Sequence, residues 1–427
     1  MIEYVLVNDL TLMTIISFVI FMSAGITGPI NSLYVESLGA SYVAIGLLGT
    51  VRSLTTILFS YVWGRASDLA RRRKTFVVLG LVAMSLVYGG LSIAPSYIVL
   101  FPLRVVGAMA MSAYSVSSLA LMGDLLEQRD RARGRRMGVF RGLGSLGFGL
   151  MAFLSGSIAD WSSIRTPFAL AACFLSVAFV LSLWVKEPAA PRDVRPTVAG
   201  VFGFLHALAV SVWVGAVEAV RRAMAPRSVA ARRSEAEAAG RLPLAPLLVS
   251  AFLWSLVTGA VYAVWANYMV SELGYSQTAM SRLWALASTS EFPLMIFAGW
   301  LSDRLGRLPM LSLGFVAWAL VFFGYVLVPW MPWIVVVQLI RGFAYSAFTA
   351  TAMTYATEVR GRAQRGEVSG LYSVAGGVGS ILGASMGGIQ TQLMGFRAMI
   401  ATNAALILGG AVYLAVVALC VGKRTKH

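Results

Sequence analysis

Charge is what this sequence lacks. Only 12% of its 427 residues are charged, about half the ~25% usual in soluble proteins. Too few charges are present to give a globule of this size a polar skin, which excludes an ordinary cytosolic enzyme. The apolar richness excludes disorder and a coiled coil. Cysteine and histidine are scarce as well, at two each. Cys173 and Cys420 both stand in apolar runs, which implies neither a disulfide framework nor a thiolate metal site. His206 and His427 furnish no His-based triad and no zinc-binding pair, and no Walker-type phosphate loop occurs. No cofactor, no metal and no enzymatic chemistry are expected. What the sequence does have is apolar residues, at 58% against ~45–50% in soluble chains. A polytopic membrane protein is the reading that remains.

A bilayer core takes ~20 mostly apolar residues per helix. Such runs fall near 11–35, 41–63, 75–94, 97–123, 138–159 and 166–185, and again near 244–270, 277–298, 309–329, 333–356, 368–391 and 398–421. The expected fold is all-α with twelve transmembrane helices. The segment before the first run carries no Lys or Arg, and the run is too long for a cleavable signal, so a retained first span is expected. The loops around 65–74, 129–141, 186–241, 304–307 and 360–365, with the tail 423–426, hold 28 of the 34 Lys and Arg. Basic loops stay in the cytoplasm. Both termini are therefore expected there, with the protein multi-pass in the cytoplasmic (inner) membrane. The net charge of +16 is a topology signal, and no nucleic-acid partner is expected.

Organisation follows from an internal repeat. Leu38-Gly39 and Ser41 match Leu273-Gly274 and Ser276 at a shift of 235 residues, as do Gly64 and Asp68 with Gly299 and Asp303, and Gly107 with Gly342. Two six-helix units result, residues 1–186 and 244–427, joined by a cytoplasmic linker over 187–243. Within the linker, the apolar stretch 198–220 reads as a helix lying on the cytoplasmic leaflet, with a buried hairpin as the competing reading. Duplicated bundles of this kind are the plan of many secondary transporters, whose solute site lies between repeats at the midplane.

Two short segments sharpen this. Gly64-Arg65-Ala66-Ser67-Asp68-Leu69-Ala70-Arg71-Arg72-Arg73-Lys74 follows span 2, and Gly299-Trp300-Leu301-Ser302-Asp303-Arg304-Leu305-Gly306-Arg307 follows span 8. Both resemble the G-x-x-x-D-R/K-x-G-R/K-R/K signature of the major facilitator superfamily (MFS), and the resemblance covers nearly the whole chain. The second copy matches through Arg307; the first has Leu69 and Arg71 where the pattern has a basic residue and a glycine. The resemblance implies two pseudo-symmetric six-helix bundles, and a gating role for Gly64, Asp68, Arg72, Gly299, Asp303, Arg304, Gly306 and Arg307. Topology alone explains the run Arg71–Lys74.

Charges near the bilayer centre are costly, at ~2.5–3.5 kcal/mol on insertion scales. Arg52, Arg104, Glu291 and Arg341 are placed that deeply, in spans the resemblance puts around a central cavity. Satisfied pairing within one bundle is the alternative, weighed about evenly for Arg341. Leu103-Arg104-Val105-Val106-Gly107 looks like the family's fourth-span element, which implies a part in proton coupling. Arginine does not release a proton, so the proton carrier is expected to be Glu291, with Arg104 tuning it. Arg52 and Arg341 with Tyr262 and Trp265 are the expected substrate contacts. Three arginines against one glutamate suggest an organic anion as solute, while an aromatic stripe of Trp254, Tyr262, Trp265 and Tyr268 also suits a ring or sugar. Glycines of span 5 answer to those of span 11, where Gly379, Gly383 and Gly387 form a small-residue ridge for close helix packing. The expected protein is a monomeric, proton-coupled secondary transporter of a small organic solute. Export of amphiphilic drugs is the alternative, and a non-transporting receptor the alternative of another class.

Overall fold

The computed structural model describes residues 2–70, 72–127, 133–186, 242–328, 330–359 and 365–424. Its described elements are all helical. The N-terminal set comprises α1 (Ile2–Thr27), α2 (Asn31–Ser37), α3 (Tyr42–Ala70), α4 (Arg73–Ser92), α5 (Tyr97–Glu127), α6 (Arg133–Trp161) and α7 (Thr166–Trp184). The C-terminal set comprises α8 (Leu244–Asn267), α9 (Gln277–Leu305), α10 (Arg307–Leu327), α11 (Met331–Glu358) and α12 (Arg365–Arg424). One π-helical turn, Tyr268–Glu272, extends α8. The expected interfacial helix at 198–220 lies outside the described residues, as does nearly all of the linker.

Ten stretches among the described residues are long and apolar enough to cross a membrane. The expected eighth span is not one of them. It is a helix of full length, α9, but Arg282, Glu291, Asp303 and Arg304 dilute its hydropathy. The expected eleventh and twelfth spans share one stretch, Glu367–Val421, interrupted at Gly395, whose backbone (φ 80°, ψ 168°) leaves the helix. Only glycine takes that conformation without strain. The count of twelve thus requires α9 to cross despite its charges and α12 to be counted as two.

The repeat has a structural counterpart. Gly39 and Gly274, 235 residues apart, both adopt positive φ (82° and 72°) in the turns before α3 and α9. Ser276 caps α9 by accepting from the Ala279 amide at 3.1 Å, and Ser41 accepts from the Ala44 amide at 3.2 Å in the matching place. One buried core gathers Met13, Leu81, Leu121 and Leu175 of the N-terminal set. A larger one centres on Trp265, Trp318, Phe322 and Tyr355 of the C-terminal set and reaches Tyr34 and Phe168. The ridge of Gly379, Gly383 and Gly387 meets the α8 carbonyls of Phe252, Leu256 and Ala260. The corresponding α6 face meets α1, with Gly147 against the Phe18 carbonyl. These small residues set the spacing of neighbouring helices.

Candidate functional site

The sets join chiefly through two helix pairs, α3 against α12 and α6 against α9. Their contacts cluster at the end carrying the turns at Gly39 and Gly274. Gly46 and Gly388 bring their backbones together there. Thr50 donates to the Ile381 carbonyl at 2.8 Å and lies 2.5 Å from the Ser385 hydroxyl. The Gly156 amide donates to Ser281 at 3.1 Å.

Two carboxylates reinforce this end. Glu36 accepts from the Tyr42 hydroxyl (2.8 Å), from Asn267 Nδ2 (2.7 Å) and from the Ser271 hydroxyl (3.0 Å). Asp160 accepts from the amide and hydroxyl of Thr278, at 2.8 and 2.7 Å. A carboxylate across the first amides of α9 also suits the positive end of that helix's dipole. The pseudo-symmetric place is filled by a neutral group, Gln392, which accepts from the Tyr42 amide at 3.3 Å.

Immediately beyond this seal lies a cavity of about 570 Å³. Phe21, Ser145 and Phe148 line it from α1 and α6. From the C-terminal set come Trp254, Thr258 and Tyr262 of α8, Trp284, Ser288 and Glu291 of α9, Trp318 of α10, Arg341 and Tyr345 of α11, and Ser380 of α12. The volume falls in the range of ~300–1,000 Å³ typical of small-molecule sites.

Arg341 is 7% exposed. Its guanidinium lies 4.6 Å from the ring centres of both Tyr262 and Trp284, and Nη1 donates to Gln338 Oε1 at 3.2 Å. Two desolvated cation–π contacts, each worth ~2 kcal/mol or more, help hold a cation where burial alone would expel it. Glu291 is half-buried on the same wall, its backbone carbonyl fixed by the Ser346 hydroxyl at 3.0 Å. Trp254 stacks on Phe348 with centroids 4.5 Å apart. The indole N–H groups of Trp254 and Trp318 are buried without a hydrogen-bond partner. The Tyr262 hydroxyl lies within range of Tyr325 and Arg341 but forms no well-shaped hydrogen bond.

Two expected substrate contacts, Trp265 and Arg52, and the expected coupling residue Arg104 do not line this cavity. Trp265 is fully buried behind it, with centroids 5.5 Å from Trp284 and 5.8 Å from Tyr325. The helical period gives it nearly the same facing as Trp254 and Thr258, so what removes it from the lining is its height along the helix, about one turn past Tyr262 toward the sealed end. Arg52 is exposed on α3 outside the cavity lining. Arg104 is half-buried and donates to Asn31 Oδ1 in its own set. The cavity thus holds Arg341 and Glu291, one charge of each sign, rather than three arginines against one acid.

At the far end the signature turns are braced by ion pairs. Arg307 makes a two-pronged contact to Glu358 (Nε 2.9 Å, Nη2 2.7 Å) and also reaches Asp303 at 2.7 Å and Ser302 at 2.9 Å. Gly306 takes the positive φ of 88° that turns α9 into α10. Arg304 lies over Trp300, 4.0 Å from its centroid. In the first copy Arg73 pairs with Asp124 at 3.1 Å, while Arg72 is exposed and the Asp68 side chain lies outside the described residues. Arg73 and Asp124 stand 234 residues before Arg307 and Glu358. A one-residue slip in the repeat would have found both pairs from sequence. Arg307→Ala is expected to cost about 1 kcal/mol, the scale of a two-pronged but half-exposed pair. A lower melting temperature of the purified variant in detergent checks this.

Known proteins share this architecture. The maltose permease of Geobacillus stearothermophilus is 25% identical over 382 residues, which is 88% of this chain and 86% of the permease. The multi-drug resistance efflux pump PmrA of Streptococcus pneumoniae is 28% identical over 195 residues, 42% of this chain and 46% of the pump. Among solved structures, the nucleoside transporter NupG superposes with a TM-score of 0.72 at 15% identity, covering 98% of this chain and 100% of that one. These relatives and neighbours are transporters rather than enzymes. The model of the MFS_1 like family matches residues 10–400, so this chain belongs to that family and is an MFS-type membrane transporter.

Proposed function

We propose that the chain is a secondary active transporter that moves a small organic solute by alternating access, coupled to protons through Glu291. The observation that carries this is a cavity lined from both helix sets and, among the described residues, sealed by contacts between them at the end carrying the turns at Gly39 and Gly274. The two sets are taken as six-helix bundles, residues 1–186 and 244–427, giving twelve spans in the cytoplasmic membrane. Lys and Arg placement puts the signature turns and both termini in the cytoplasm. The sealed end is then the outer one, and the conformation is inward-facing. Rocking of the bundles would break the Glu36, Asp160 and Gly46–Gly388 contacts and form others at the signature turns, where Asp68, Arg72 and Asp303 stand. The cavity is lined by helices of one chain, and a monomer is taken as the working unit.

Tyr262 and Arg341 are the proposed solute contacts. Trp265 supports them from behind, and Arg104, holding Asn31, acts on coupling at a distance. An anionic solute loses the support of three converging arginines, since Glu291 offsets Arg341. Drug export, as in the efflux-pump relative, draws on the aromatic wall.

Glu291→Gln tests the coupling. Reconstituted in liposomes with an imposed pH gradient, this variant is expected to lose proton-driven solute accumulation while keeping solute-for-solute counterflow. Accumulation at the wild-type level would remove Glu291 from the mechanism.

A further inference from the structure

Two opposite charges share the cavity wall and do not meet. Glu291 and Arg341 both line it, yet no ion pair or hydrogen bond joins them. Reach does not explain this. A Cβ on Gly342 would meet the Ser290 hydroxyl and the Ala287 carbonyl, so α11 and α9 touch at the residues beside Arg341 and Glu291. The guanidinium is instead drawn toward the sealed end, where all three of its contacts lie. Gln338 Oε1, one turn back on α11, accepts from it at 3.2 Å, and the ring centres of Tyr262 and Trp284 stand 4.6 Å away. Trp284 precedes Glu291 by seven residues, about 10 Å of helix rise toward that end. Resting on the transporter reading above, we propose that Gln338 is a positioning residue, a tether that holds Arg341 toward the sealed end and off Glu291.

Gln338 is fully buried in an apolar stretch of α11, where an aliphatic side chain would pack with no polar group to satisfy. Its Nε2 lies within range of the Tyr325 hydroxyl without a well-shaped bond. The contact to Arg341 is therefore the one well-formed side-chain bond this amide makes among the described residues. Gln338 is also absent from the cavity lining, so it reaches the solute only through Arg341. Arg341 is the only full charge facing Glu291 in that lining, to which α1, α6, α8, α10 and α12 bring neutral groups. The titratable hydroxyls nearby are those of Tyr262 on α8 and Tyr345 on α11, with Tyr325 on α10 and Tyr372 on α12 behind them. A guanidinium that moved to within ~4–6 Å of Glu291 would hold the carboxylate ionised to lower pH. Where the tether holds Arg341 thus sets how readily Glu291 takes a proton.

The test needs no solute. Infrared difference spectra of the protein in liposomes, recorded as pH is varied, show the C=O stretch of protonated carboxyl groups. The component that Glu291→Gln removes belongs to Glu291, and its midpoint pH is the readout. Gln338→Leu is expected to lower that midpoint by about one pH unit or more, the scale of an opposite charge brought alongside. Gln338→Met keeps the length of the side chain without its acceptor, and is expected to do the same if leucine disturbs the fold. In an Arg341→Met background neither substitution should move the midpoint, because the tether then holds no charge. A midpoint unchanged or raised in the folded variants overturns the tether and leaves the transporter reading intact. So does an equal shift with Arg341 absent. If Glu291→Gln removes no component across the stable pH range, Glu291 carries no proton, and the coupling reading falls together with the tether.

Discussion

Gly388→Val is expected to drive the protein out of its inward-facing state. A Cβ at this position would meet the Tyr42 carbonyl and the Gly46 Cα, both backbone atoms. No rotamer change relieves a clash with backbone, so α12 and α3 must separate. Overpacking of this kind costs ~1–3 kcal/mol, and each 1.4 kcal/mol moves a two-state equilibrium about tenfold. The opposite conformation has no such penalty if the bundles part here, so the cost acts as a bias between states rather than on folding. Thr50, hydrogen-bonded across the same seam, is the reporter. With Cys173 and Cys420, both free and exposed, replaced by alanine, Thr50→Cys should be nearly unreactive toward a membrane-impermeant maleimide added outside. Gly388→Val should raise its labelling rate more than tenfold. An unchanged rate in folded protein would mean that this seam does not open during the cycle. Glu36→Gln is expected to act in the same direction more weakly. The amide keeps one acceptor oxygen but turns an NH2 toward groups that are themselves donors.

The seam also marks where sequence reading stopped. The helical runs, the repeat and the signature turns were legible, because each depends on residue type or spacing along the chain. The family membership now shown agrees with the resemblance those turns carry. Gly306 is a clear case, since a motif glycine at the end of α9 takes the positive φ that the turn needs. Glu291, Arg341 and Tyr262 were found as deep polar positions, and they do meet at one cavity. Glu36, by contrast, meets Asn267 and Ser271 231 and 235 residues away. Nothing local separates it from any glutamate near a helix end. Asp160, near the end of α6, caps a helix of the other set, and no spacing along the chain points to it. Arg52 fails in the converse way: a charge in the middle of an apolar run reveals depth but not the direction it faces. Trp265 shows a second limit: it faces much as Trp254 does, but the height at which the cavity ends is decided by how α8 packs against α9 and α10, and spacing along the chain does not give it. The run at 277–298 was read as a span, but α9 is less apolar than the other spans because residues that serve the cavity, Ser288 and Glu291 among them, make it polar.

Arg341→Met should abolish transport and leave the protein more heat-stable. Buried cations are expensive, and the partners of Arg341 here, two aromatic rings and the amide oxygen of Gln338, carry no full negative charge. Replacing buried ionic groups with apolar residues of similar size is often neutral or stabilising by ~1–4 kcal/mol. Methionine is unbranched and adaptable, fills most of the space beside Tyr262 and Trp284, and keeps a favourable sulfur–aromatic contact. The fold therefore gains from the exchange. The solute loses the strongest donor in the cavity, and Glu291 loses the charge that offsets it, so binding should fall by more than a hundredfold, on the order of 3 kcal/mol. Arg341→Lys should recover little of this, because a compact ammonium group cannot pack a planar face against the rings and still present a fork of N–H donors. Melting temperature and solute binding, measured on the same preparations, separate the possibilities. A higher melting temperature with lost binding identifies Arg341 as a residue kept for function at the expense of stability. A lower melting temperature with binding retained would make it a structural pillar of α11, and the cavity would then need another residue at its centre.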